Sequence, residues 1–200
     1  MTNKKINSIF ILIILSLFSY ASLAKNLILT KLSDAEFKKD AIEIKKNIVG
    51  KTPFVHEFWL INSEAYKLYY KGDTFHFIPF SYLSENMTTR VSILKINSTT
   101  DFFTNDIDSG SRKDVKAVST IDINKDGIQE IAYLFVDATQ GHTINDGMIF
   151  SYNEKTHNFT MDEDKTAIFN CYIEKIFDIS QSTSKINFKN LENYYGSKCE

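Results

Sequence analysis

Apolar and polar positions change their period once along this chain. In residues 33–49, "SDAEFKKDAIEIKKNIV", Phe37, Ala41, Ile44 and Ile48 recur at helical spacing, with charged residues on the opposite face. Ser33 and Glu36 stand three apart, as a capping box requires, and Lys45 and Lys46 lie toward the C-terminal end, where the macrodipole favours cations. Gly50 is expected to stop this helix. One apolar stripe beside one charged face describes a helix packed on a neighbouring element.

Beyond Gly50 the pattern becomes β-like. The stretches 54–62, 65–72, 74–80, 89–97, 115–121, 130–137, 147–153, 158–161, 172–179 and 185–190 are short and rich in aromatic and branched residues. Lys71-Gly72-Asp73 predicts a hairpin turn, and Glu154 to His157 a tight connection. About ten short strands after one helix predict a mainly β fold. The expected architecture is an antiparallel β domain, whether barrel, sandwich or propeller-like, with one N-terminal helix.

The N-terminal 24 residues stand apart from this pattern. Lys4 and Lys5, an apolar run from Ile9 to Phe18 and the small-x-small Ser22-Leu23-Ala24 compose a secretory signal peptide over 1–24. The apolar run is shorter than the ~20 residues needed to span a bilayer. Cleavage after Ala24 takes away two lysines and no acid, so the formal charge moves from −2 to −4. Residues 25–200 are then expected to form a single β-rich domain in the periplasm or outside the cell, with no membrane span. An acidic balance without a basic cluster excludes the usual nucleic-acid binder. Two cysteines, Cys171 and Cys199, form an even pair in an oxidising compartment and predict a disulfide closing a loop of about thirty residues. Neither a CxxC redox pair nor a Cys/His zinc spacing is present.

Candidate chemistry concentrates in "STIDINKDGIQEIAYLF", residues 119–135. Asp122, Asn124 and Asp126 take positions 1, 3 and 5 of a loop. Gly127 permits a sharp turn at 6, Ile128 offers a carbonyl at 7, and Glu130 falls at 9. Calcium takes six to eight hard oxygens, and alternate residues of a tight loop can supply them. Tyr133 at position 12 and strand-like flanks exclude a full EF-hand. A polar hairpin turn explains Asp126-Gly127 equally well, but three like charges repel unless a cation lies among them.

The stretch resembles the calcium loops of bacterial FG-GAP or VCBS-type β-hairpins, strand–D-x-[DN]-x-DG-x-x-[DE]–strand. That resemblance implies calcium ligation by Asp122, Asn124, Asp126, Glu130 and the Ile128 carbonyl. The family's Phe-Gly and Gly-Ala-Pro elements are missing. From about 115 to 190 the order acidic loop, strand, "ATQGHTIND", "MIFSYNEKTHNF" and a further strand pair is similar to periplasmic lysozyme-inhibitor-like immunity proteins. This implies a protein partner, of the class of cell-wall hydrolases, blocked through protruding loops. His142 and Asn145 of the expected loop 138–147 are the candidate contact residues.

Signals for an enzyme are weaker, and none is expected. His56-Glu57 begins an H-E-x-x-H motif, but Leu60 stands where its second histidine belongs. His76 alternates with Phe75 and Phe77 and so faces away from them; His142 and His157 fall in expected loops. Phe58, Phe75, Phe77, Phe135 and Phe150 suit a core. Tyr66, Tyr69, Tyr70, Tyr194 and Tyr195 suit a binding surface. The sequence thus points to an exported envelope protein with a structural calcium and a disulfide that binds another protein. The alternatives are a metal-assisted hydrolase and a carbohydrate-binding module.

Overall fold

The computed structural model describes residues 27–51, 57–83, 87–95, 102–107, 113–139, 142–180, 186–195 and 199. The expected signal peptide and His56 lie outside these. The chain folds into two antiparallel sheets, each backed by a helix, which makes it a mainly β sandwich.

The first sheet holds β1 (Ile28–Lys31), β2 (Glu57–Leu60), β3 (Tyr66–Tyr70), β4 (Asp73–Leu83), β5 (Met87–Lys95) and β6 (Phe102–Ile107). Its order is β1-β3-β4-β5-β6. The 11-residue β4 is long enough for two partners along one edge: β3 pairs with Asp73–Phe77 and β2 with Phe80–Leu83. A 3₁₀ turn at Asn62–Glu64 joins those partners. The β3–β4 hairpin turns through Lys71 and Gly72, both at positive φ (49° and 84°), the combination a two-residue turn needs to match strand twist. The second sheet is a meander, β10-β9-β8-β7, formed by β7 (Lys113–Ile121), β8 (Glu130–Thr139), β9 (His142–Asn153) and β10 (Asn158–Met161). Asn153 closes the β9–β10 turn by accepting the amides of Lys155 and Thr156.

The alternation of β4 and β8 builds three apolar layers. Phe75 and Phe77 face the second sheet and meet Tyr133, Phe150 and Phe159, with Phe75 and Phe159 edge-to-face at 5.2 Å. On the outer face of the first sheet, Ile78 and Phe80 receive Ile44 and Phe37 of helix α1 (Asp34–Lys51). On the outer face of the second, Ala132, Leu134 and Ile149 receive Phe169, Tyr172, Ile173 and Ile176 of helix α2 (Glu163–Ser180).

The capping box of α1 forms as expected: the Ser33 amide donates to Glu36 at 3.1 Å and the Glu36 amide to Ser33 Oγ at 3.4 Å. The helix runs through Gly50 to Lys51, one residue past it. Larger corrections fall near the C-terminus. Residues 172–179, expected as a strand, belong to α2, and the described part of 185–190, from Ile186 on, leads into the short helix α3 (Phe188–Leu191). Phe169, Tyr172, Ile173 and Ile176 recur at three and four residues, and Asp162 caps the helix by accepting the Lys165 amide at 3.0 Å. Conversely, β1 and β6 were not expected; "FFTNDI" alternates too weakly to announce itself. Of the tyrosines assigned to a surface, Tyr70 and Tyr195 are core residues. Tyr66 is half-buried under the Lys31 ammonium, 4.0 Å from its ring centre, while Tyr69 is exposed. Phe75, Phe77, Phe135 and Phe150 are buried as expected.

The disulfide between Cys171 and Cys199 is formed, with Cα atoms 6.0 Å apart. It fastens the tail to α2. No helix among the described residues is long and apolar enough to cross a membrane.

Candidate functional site

The acidic loop hangs between β7 and β8, whose pairing ends at Ile121 opposite Glu130. Asp122 closes it from the N-terminal side. One carboxylate oxygen accepts the Asp126 amide at 3.0 Å and the other the Gly127 amide at 2.8 Å. Asp126 in turn accepts the Ile128 amide at 2.7 Å. These bonds wind the chain tightly enough to need positive φ at Lys125 (58°) and Gly127 (82°). Asn124 and Asp126 are exposed and touch, the Asn124 amide donating to the Asp126 carboxylate at 2.9 Å.

Glu130 is placed differently from its loop partners. It is fully buried under α2, where one oxygen accepts the Ile123 amide at 3.3 Å and the other the Lys165 ammonium. Burial pushes its carboxyl above the ordinary value, opposed by the Lys165 hydrogen bond and charge. Burial would lower Lys165, yet the Glu130 carboxylate more than offsets this and holds the ammonium above its usual value. Lys165 also feels Asp126 and Asp162, so it is a resident positive charge beside the loop.

As a calcium site, the donor set fits in part. Asp122, Asn124 and Asp126 project oxygens from one short loop, and a half-turn of the Asn124 amide brings its oxygen toward Asp126. Glu130 is turned toward α2, with both oxygens engaged. Among the described residues, no three His, Cys, Asp or Glu side chains converge as a metal-ligand group.

The expected loop 138–147 is mostly ladder. β8 runs to Thr139 and β9 starts at His142, with His142 opposite Thr139 and Asn145 opposite Val136. On its other edge β9 pairs with β10 only from Phe150 to Asn153. Side chains of α2 cover the next stretch: the Ile149 amide donates to Thr166 at 3.0 Å and the Gly147 amide to Asn170 at 2.8 Å. Gly147 is required there, because a Cβ would lie 2.2 Å from the Phe169 ring. Strand alternation turns the Thr143 and Asn145 amides the same way, beyond both α2 contacts.

A second polar site escaped the sequence reading. His76 lies on the face of β4 opposite Phe75 and Phe77, buried under α1, with Nδ1 2.5 Å from the Asp40 carboxylate. The one available signal was Asp40 beside the apolar stripe of α1, a charge in a place that calls for a partner. The chain matches no family model, no curated protein and no solved structure.

Proposed function

We propose that this is an exported envelope protein that works by binding another protein, as an inhibitor or immunity protein against a peptidoglycan hydrolase. The observation that carries the reading is the uncovered edge of β9. Among the described residues, no strand pairs with 142–149 on that side, and α2 satisfies only the amides of Gly147 and Ile149. The segment from His142 to Asn145 therefore offers backbone donors and acceptors at a ribbon end, a surface that a partner's extended segment can extend.

In this reading the acidic loop holds calcium through Asp122, Asn124, Asp126 and the Ile128 carbonyl, and the ion stiffens the β7–β8 connection. Glu130 joins the ligands only where Lys165 releases it.

The test is inhibition of a peptidoglycan hydrolase encoded beside this gene. The mature protein is expected to bind it and block its activity. Asn145→Pro, which removes the edge amide, and His142→Ala are expected to weaken the block by roughly tenfold, the scale of a lost interface hydrogen bond with its desolvation cost. A hydrolase neither bound nor inhibited overturns the reading.

A further inference from the structure

Between α1 and the outer face of the first sheet lies a half-open cleft of about 280 Å³. This is just below the usual range for ligand sites, about 300–1,000 Å³, and suits only a small molecule. Its floor is His76, 5% exposed, and its wall Asp40, 4% exposed. Asp40 accepts from Nδ1 and so fixes the ring's orientation. Among the described residues the ring has no second hydrogen-bond partner, so Nε2 is left for whatever the cleft holds. The ring is nearly buried, yet Nε2 is not one of the sealed polar atoms without a partner (Tyr133 OH, Asn158 Nδ2 and Tyr195 OH), so it opens to solvent at the floor of the cavity, where a ligand can meet it.

The charges around it narrow the ligand. Glu36 and Lys67 neutralise each other across the rim, the Glu36 carboxyl being drawn down to about 2 by the Lys67 hydrogen bond and then by Ser33. Asp40 is matched by the imidazole when that ring is charged. This leaves Lys39, which lines the cleft and forms no ion pair among the described residues, as the uncompensated charge. Tyr69 and Thr74, opposite each other on β3 and β4, add two hydroxyls to the lining.

We propose that this cleft binds a small monocarboxylate. The ligand's carboxylate lies between the His76 imidazolium, donating from Nε2, and the Lys39 ammonium. The imidazolium then bridges two carboxylates, that of Asp40 and that of the ligand. A dianion such as phosphate is disfavoured, because the Asp40 and Glu36 carboxylates face the same space.

The experiment follows the His76 ring nitrogens by NMR in ¹⁵N-labelled mature protein, the signals being assigned by their loss in His76→Gln. N-acetylglycine is the probe, N-acetylglycinamide its uncharged isostere, and inorganic phosphate the dianion. N-acetylglycine is expected to shift Nε2 saturably into the imidazolium range. The amide is expected to bind at least about tenfold more weakly, since it lacks a charge-assisted contact. Lys39→Gln is expected to weaken N-acetylglycine by a similar factor while the melting temperature stays put, which separates binding from folding. Ring signals unmoved up to about 100 mM, a hundred times a millimolar Kd, overturn the proposal. Equal response to the amide, tighter binding of phosphate, or unchanged affinity in Lys39→Gln does so too.

Discussion

Replacing Lys165 with Met removes the partner of a carboxylate that has no access to water. Glu130 is fully buried, and Lys165 keeps about a fifth of its side chain exposed (20%, against 1% for Glu130). Breaking a buried ion pair from one side costs about 3–5 kcal/mol, because the remaining charge is left desolvated. The partial exposure of Lys165 lets water approach once the side chain is shortened, so the lower end, about 3 kcal/mol, applies. For a chain of this size about 2–4 °C is lost per kcal/mol, so Lys165→Met is expected to melt roughly 6–12 °C below wild type at pH 7 in EGTA. The deficit should shrink with acid. A carboxyl whose folded pKa is raised binds its proton more tightly folded than unfolded, so its contribution to stability falls as pH rises from about 4.5 through the raised value. Without Lys165 the carboxyl is raised further and that fall extends to higher pH, so the variant should differ least from wild type near pH 4–5. Glu130→Gln/Lys165→Met removes both charges and keeps an acceptor for the Ile123 amide, so it should recover to within about 1 kcal/mol of wild type. Circular dichroism melts of the three proteins in EGTA read this directly. A single variant melting within about 2 °C of wild type at pH 7, or a double variant no better than the single, refutes the pairing as the reason Glu130 can be buried.

Three further outcomes follow from the fold. Cys171→Ser/Cys199→Ser should lower stability by roughly 3–4 kcal/mol, read by urea unfolding, because the loop it opens is no longer constrained in the unfolded chain. Gly147→Ala should cost about 1–3 kcal/mol by pushing Phe169 out of its seat, and Gly147→Ala/Phe169→Leu should restore part of that. Glu36, whose folded pKa is depressed to about 2 chiefly by Lys67, contributes stability above about pH 4.5 that is lost as pH falls toward about 2. Glu36 is a third exposed and Lys67 a fifth, so Glu36→Gln should remove no more than about 1 kcal/mol at pH 7, an effect that fades as pH falls through about 2.

What could be read from the sequence was local. The Ser33–Glu36 box, the Lys71-Gly72 turn and most strands announce themselves through residues a few positions apart. The cysteine pair needed only compartment and count. The α2 segment was misread because "YIEKIFDI" packs branched and aromatic residues densely enough to imitate a strand. Its helical period shows only when Phe169 and the Asp162 cap are read with it. The polar sites were hidden for another reason. Lys165 lies 35 residues from Glu130 and His76 lies 36 from Asp40, so each pairing is made by the stacking of helix on sheet. The acidic loop was legible as a turn with alternating oxygens. That its ninth residue is drawn under a helix depends on that same stacking.

The most direct measurement is a calcium titration of residues 25–200 by calorimetry, joined to a melting curve with and without chelator. One bound ion per chain is expected, with a stabilisation of about 2.7 kcal/mol at one hundred times Kd, or roughly 5–11 °C for a chain of this length. Asp126→Ala should abolish both responses. No heat at millimolar calcium, together with a melting curve that EGTA leaves unmoved, contradicts the calcium loop and leaves Lys165 as the only cation the site uses.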